Sequence, residues 1–333
     1  MLGGEDVELR NVSLSTPLNR NLNKDVGAYE ERKIFTTKGV SVTVAIKGDP
    51  SKPALLTFHD LGLNFVSNFQ AFFNYPDMVE IAEKFCVYHV NAPGQEEGAE
   101  IISEHVEYPN MEDLAEIVNE VINELKIVRY VGIGVGLGGN VLLRHAYRYP
   151  ERLHCLVLVN TLCTVPGWVE WGYQKRNVNH LRNHGVTQAV TDYLLWHHFG
   201  VCHEERAHDL VNIFKQYFST DIQPKNLAKL MEQYNWRTAI QIDREFSLEN
   251  QGGNAKTLKT PILNIVGAYS PFSADTVVLN GKLNPQTTSW MKIHECTMVL
   301  EEQPAKMAEA FRLFVQGHGF CINIRKNAVG VVQ

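Results

Sequence analysis

Residues 131–146 read VGIGVGLGGNVLLRHA, an apolar strand that runs into a cluster of glycines and out into a helix pattern. A strand that turns this tightly into a helix needs residues without side chains at the junction, because backbone approaches backbone there. Two frames fit the cluster. Gly134, Gly136 and Gly139 satisfy G-x-G-x-x-G, the loop that cradles a dinucleotide pyrophosphate at a helix N-terminus. Gly134-Val135-Gly136-Leu137-Gly138 equally fits the strand-turn-helix frame G-x-S-x-G of a nucleophile elbow, with Gly136 where the nucleophile would stand.

The surrounding pattern bears on the choice. Ala54–Phe58, Cys86–Val90, Tyr130–Ile133 and Leu156–Val159 are short, nearly continuous apolar runs, which suit strands buried on both faces of a parallel sheet. Upstream, Lys33–Thr37 and Val40–Lys47 read as an antiparallel hairpin turning at Lys38-Gly39. Met111, Leu114, Ile117, Val118, Val121, Ile122 and Leu125 recur at helical spacing behind Asn110, placed to cap the first turn. Val141–Tyr149 continues as a helix until Pro150 stops it. From Thr164 to about Asn250 the strand signal vanishes and helical spacing is intermittent. Pro261–Val266 and Thr288–Ile293 restore strands, and Pro304–Gln316 closes with a helix that Gly317 can terminate. The organisation expected is a loosely ordered arm over 1–29, a core over 30–163 and 251–320, a helical cap insertion over 164–250 and a short tail over 321–333.

Length and charge narrow the function classes. A chain of 333 residues that is 44% apolar can bury a substantial core. The net charge of −6 is spread without long runs, which argues against nucleic acid as a partner. Six cysteines are scattered with no C-x-x-C pair, as expected in a reducing compartment. No apolar run approaches the roughly 20 residues of a spanning helix. A cytoplasmic location is expected, with peripheral membrane contact open.

A dinucleotide fingerprint belongs to the first strand of its unit and is answered by an acidic residue at the end of the next strand. Here the glycines follow the third buried strand, and the next strand ends in Asn160. The hydrolase frame explains more. His59-Asp60-Leu61-Gly62 stands where α/β-hydrolases carry a His-Gly segment that supplies part of the oxyanion hole. Val90–Gln95 stands at their strand-ending polar turn, Tyr149–Arg152 follows the elbow as theirs does, and the insertion after Asn160 matches their cap. The sequence thus resembles an α/β-hydrolase fold, with a mostly parallel central sheet, an N-terminal antiparallel hairpin and a helical cap.

The catalytic positions are another matter. Gly136 offers no nucleophile at the elbow, Ser270 stands where the acid is expected after Gly267, and Thr297 stands where the histidine is expected before Glu302-Gln303-Pro304. A serine cannot balance an imidazolium as a carboxylate does. Three independent replacements make a pseudoenzyme the economical expectation, with no cofactor. The amides of Leu137 and Leu61 are candidate oxyanion-hole donors at a helix N-terminus. With His59 and Asp60 they outline a candidate pocket for a small anionic ligand, against the simpler view that the turn serves only the fold.

Specific words carry the resemblance further. Phe58–Asn64 (FHDLGLN), Asn91–Ala99 (NAPGQEEGA), Gly132–Gly136 (GIGVG), Gly167–Trp171 (GWVEW) and Glu309–Gly317 (EAFRLFVQG) resemble the N-myc downstream-regulated family. The resemblance spans roughly Pro53 to Phe320. It implies an α/β-hydrolase-like cytoplasmic protein with no attributed hydrolase activity, associated with signalling, differentiation, stress response or vesicle trafficking through protein partners. Residues 321–333 lack the long Ser/Thr-rich tail of many relatives, which puts control by tail phosphorylation in doubt. A rival reading keeps an enzyme with an unfamiliar set drawn from His59, Asp60, Cys163 and His294. In the insertion, His197, His198, Cys202, His203 and His208 match no familiar zinc spacing, so packed or surface histidines and no metal are expected. Trp168, Trp171, Tyr173, Trp196 and Trp236 are expected to fill a small helical core.

Overall fold

The computed structural model describes residues 29–201, 208–244 and 257–322. Its centre is an eight-stranded sheet of β1 (Glu30–Phe35), β2 (Ser41–Lys47), β3 (Ala54–Phe58), β4 (Cys86–Val90), β5 (Tyr130–Val135), β6 (Leu153–Val159), β7 (Ile262–Gly267) and β8 (Thr288–Ile293), in the order β1-β2-β4-β3-β5-β6-β7-β8. β2 runs antiparallel to both β1 and β4, and every pairing from β4 to β8 is parallel. The apolar runs explain this directly. Leu56 and Phe58 of β3 pack into one layer with Leu114, Val118 and Val141, while Leu55 packs into the other with Val131, Met307 and Phe311. Strands covered on both faces have no polar side to show.

The edge strands read less clearly. β1 begins at Glu30 rather than Lys33, because Glu30, Glu31 and Arg32 are exposed on an edge and carry no apolar alternation. Between β3 and β4 the sequence suggested no element, yet short helical turns over Val66–Phe73 lead to α1 (Pro76–Ala82), which opens on its proline.

The core helices are α2 (Met111–Glu124) and α3 (Leu137–Arg148) after β4 and β5, with α8 (Ser273–Lys282) and α9 (Pro304–Gly317) near the C-terminal end. Asn110 caps α2 as expected: its side chain accepts from the Glu112 and Asp113 amides at 2.9 Å, and Asp113 returns a bond to the Asn110 amide. Such a box stabilises a helix by about 1 kcal/mol. At the other end the helix expected over 304–316 is found one residue longer. α9 runs through Gly317, and the left-handed residue that ends the excursion is Gly319, with φ +93°. Between β6 and β7 lie α4 (Trp168–His184), α5 (Gln188–Phe199), α6 (His208–Thr220) and α7 (Pro224–Asn235).

The glycine junction is required by its neighbours. A β-carbon on Gly134 would lie 2.6 Å from the Gly139 Cα, one on Gly138 would strike the Phe58 carbonyl, and one on Gly139 would strike the Thr161 hydroxyl. We expect Gly138→Ala to cost about 3 kcal/mol or more, since backbone cannot move aside. Gly172→Ala, on an exposed face of α4 with nothing within 4 Å, should gain about 0.5–1 kcal/mol. Urea unfolding of the two variants checks the contrast.

Candidate functional site

β3 and β5 are parallel neighbours with Phe58 beside Gly134, so the turn after β3 and the elbow after β5 meet at the carboxyl ends of the strands. Gly136 holds φ +49°, ψ −111°, the left-handed geometry of an elbow, at the N-terminus of α3. It has no side chain, but the space is filled: a β-carbon there would collide with the Asp60 carboxylate. Asp60 Oδ1 accepts the Leu61 amide at 2.7 Å and the Leu137 amide at 2.8 Å. These are the two donors that the sequence offered to an anionic ligand. Both are engaged by a carboxylate of the chain itself.

Asp60 Oδ2 faces the cap. His197 Nε2 lies 3.1 Å away and His198 Nδ1 lies 3.7 Å away, both from the last turn of α5. Burial pushes the Asp60 carboxyl upward, but His197, His198 and the Leu137 amide outweigh it and hold the group down to about 2. His198 Nε2 donates to the Leu61 carbonyl at 2.9 Å. Burial lowers the His198 ring to about 4, so it is neutral near pH 7.

His59 braces the turn. Its Nε2 accepts the Ala92 amide at 2.9 Å, which leaves Nδ1–H to donate to the Asp60 carbonyl at 2.8 Å. Burial lowers it to about 4. Asn68 accepts the Asp60 amide at 2.9 Å and completes the cradle. Beside it, Glu301 is half-buried with its Oε1 enclosed, and its carboxyl is pushed up to about 8, chiefly by burial. Asp60, Asn68, His197, His198 and Glu301 share the lining of a cavity of about 10 Å³. That is room for one water, against several hundred cubic ångströms for an organic ligand site.

Gly136, Ser270 and Thr297, the positions expected to answer to a triad, are buried, and both side chains are engaged in other bonds. The Thr297 hydroxyl donates to the Phe199 carbonyl at 3.1 Å, and Ser270 Oγ accepts the Phe272 amide at 3.2 Å. Asn160, the residue that counted against a dinucleotide site, ties the strand ends together: its side chain accepts from the Gly267 amide and donates to the Thr297 carbonyl. Of the rival set, His294 is exposed and Cys163 is buried, its thiol pushed up by that burial.

In the cap, the expectation for the aromatics is overturned. Trp168 is 90% exposed, and Tyr173 and Trp236 are also exposed, because the core between these helices is built from Val178, Leu181, Leu194, Phe214, Phe218 and Met231. His208 is exposed and bonded by Asn212, so it does not join His197. Cys202 and His203 lie outside the described residues. The sequence missed the meeting of Asp60 with His197, since 137 positions separate them. It also missed Glu301; no spacing rule points to either.

Parallel sheet, elbow and cap define an α/β-hydrolase fold whose elbow carries a glycine. Known structures agree on the fold. The chain superposes on a malate-bound thermophilic esterase from Thermogutta terrifontis with a TM-score of 0.69 at 18% identity, covering 87% of this chain and 100% of that one. It superposes on an enol-lactonase from Burkholderia xenovorans LB400 with a TM-score of 0.63 at 17% identity, covering 86% and 100%. Sequence relatives are more specific. A model of the Ndr family matches residues 31–322. Protein NDRG1 of Xenopus tropicalis is 38% identical over 294 residues, 87% of this chain and 71% of that protein. Protein NDRG3 of Xenopus laevis is 36% identical over 322 residues, 94% and 84%. The chain belongs to the Ndr family. Among the described residues no helix is long and apolar enough to cross a membrane.

Two predictions follow from the buried charges. Asp60→Ala strands two buried amides and should cost about 3 kcal/mol, whereas Asp60→Asn keeps an acceptor for them and should cost at least about 1 kcal/mol less. Equal losses in urea unfolding would mean that the amides do not depend on Asp60. Burial also lowers His89 to about 3, in a nest of Phe65, Phe69 and Phe73 where its Nδ1 meets Thr57 Oγ1 at 2.7 Å. A base with a depressed folded pKa stays neutral while the unfolded chain takes up protons, so stability is complete above about pH 6.5 and falls below it. The apolar double variant Thr57→Val/His89→Phe should lose about 2 kcal/mol less than the parent between roughly pH 6.5 and 4.5.

Proposed function

We propose that this chain is a non-catalytic pseudoenzyme that acts in the cytoplasm by binding protein partners. The observation that carries this reading is the Asp60 carboxylate, which occupies the volume of a nucleophile at Gly136 and takes both amides of the would-be oxyanion hole. An ester carbonyl reaching the elbow would meet a buried negative charge where it needs donors. An anionic ligand would meet the same charge, so the ligand-receptor reading loses its main support.

Partner binding draws on the cap surface. Val165, Pro166, Trp168, Trp171 and Trp236 line one open hollow, and Val169, Tyr173 and Trp196 line part of another. Exposed aromatics that are not needed for the core are the usual anchors of an interaction face. Peripheral membrane contact would use the same kind of surface. Roles in signalling, differentiation, stress response or vesicle trafficking rest on the family resemblance alone.

A panel of acyl and lipid esters tests the central claim. The purified chain should hydrolyse none above the buffer rate, and turnover that disappears in Asp60→Asn or Cys163→Ala would refute it. Restoring the serine should not help. Gly136→Ser is expected to cost about 3 kcal/mol or more and yield no esterase, because its Cβ needs the space of the Asp60 carboxylate. Adding Asp60→Gly should recover at least about 1 kcal/mol beyond additivity. Strictly additive losses would show that the two side chains do not compete.

A further inference from the structure

We propose that Asp60, His197 and His198 form a divalent-cation site, best suited to zinc, that fastens the cap to the turn after β3. One ligand atom from each residue lies within 4.8 Å of the others, and all three residues are buried. Asp60 Oδ2 stands 3.1 Å from His197 Nε2 and 3.7 Å from His198 Nδ1. Those distances fall either side of the separation of about 3.3 Å between two ligands of a tetrahedral zinc.

His198 carries the argument. Its Nε2 bears the proton donated to the Leu61 carbonyl at 2.9 Å, so in the neutral ring Nδ1 turns a lone pair toward the carboxylate. Lone pair and carboxylate repel, and a cation between them binds both. His197 bonds the Asp60 carboxylate through Nε2 at 3.1 Å, and a zinc bond to Nε2 would replace that hydrogen bond. Its Nδ1 is buried and has no hydrogen-bond partner among the described residues, so the ring proton can sit there and leave Nε2 to the metal.

The fourth position opens on the cavity of about 10 Å³, room for one bound water. Glu301 Oε1 is buried, has no partner among the described residues, and belongs to the lining of that cavity, where it can accept from the water. Two imidazoles, a carboxylate and a water are a nitrogen and oxygen set that suits zinc better than calcium or magnesium. The cap supplies only the two imidazoles, and the carboxylate comes from the core.

Chain purified without a metal-affinity column and dialysed into metal-free buffer is loaded with zinc chloride, desalted and assayed for metal. One zinc per chain is expected, with an X-ray absorption shell of nitrogen and oxygen only. Tm should rise by about 4 °C at a hundredfold excess of zinc over its Kd. His198→Gln places an amide nitrogen near the Nε2 position, so it can keep the bond to Leu61 while removing the Nδ1 ligand. That variant and Asp60→Asn should each lower zinc retention at least tenfold, while the exposed-site control His294→Gln retains it. The proposal is overturned by no uptake at about 100 µM free zinc, which would leave the cavity to water. It is equally overturned by undiminished zinc in both variants, or by a zinc–sulfur shell near 2.3 Å. Should both variants fail to fold, the absorption spectrum of the parent chain decides.

Discussion

A carboxylate is hard to bury, and this fold buries one at the junction on which its other parts converge. Asp60 is 5% exposed, and it stays charged because two amides and the His197 ring bond it, with His198 alongside. Those groups come from three places. Leu61 belongs to the turn after β3, Leu137 opens the helix after β5, and His197 and His198 close a helix of the cap. The Leu137 amide also adds the partial positive end of α3. One charge therefore sets the distance between three segments that the chain order keeps far apart, and weakening any of its partners exposes the rest to an unpaired group.

The same residue ties cap to core in a way that apolar packing alone would not. Apolar contacts tolerate small sliding, whereas a buried charge with fixed donors does not. His198 donates to the Leu61 carbonyl while facing the Asp60 side chain, so the last turn of α5 is registered against both backbone and carboxylate. Thr297 repeats the arrangement a few residues further on, donating to the Phe199 carbonyl. Thr297 thus helps to seat the cap on the core. The side chains of Ser270 and Thr297 make bonds that hold these segments in place.

Much of this fold was legible because its signals are local. Continuous apolar runs over Ala54–Phe58 and Leu156–Val159 require cover on both faces, and Asn110 ahead of a periodic run is a cap on sight. The edge strand β1 was harder, since Glu30–Arg32 face water and leave no pattern. The site was legible in part. Gly136, Leu61 and Leu137 could be placed from the strand-turn-helix frame, and Asp60 could be named as a polar residue beside them. What fills the elbow could not be read, because it depends on where one side chain points. The pairing with His197 spans two layers of the structure, and Trp168 and Trp236 read as core residues until the helices were seen to close over aliphatic and phenyl side chains instead.

The persistence of the elbow without its nucleophile has a steric cause that is separate from chemistry. Gly134, Gly138 and Gly139 each face backbone or a buried side chain at a distance no β-carbon could accept, so the turn must keep its shape for α3 to pack on β5 and β3. Gly136 differs from them. Its left-handed conformation favours glycine, but the atoms it would strike belong to the Asp60 side chain, which another residue could in principle vacate. The strand-to-helix geometry is thus a requirement of the fold, while the identity of the residue at its tip is set by what stands opposite. In a hydrolase a substrate stands there. Here it is a carboxylate of the chain, already satisfied by the Leu61 and Leu137 amides, and the elbow becomes a clamp on the core.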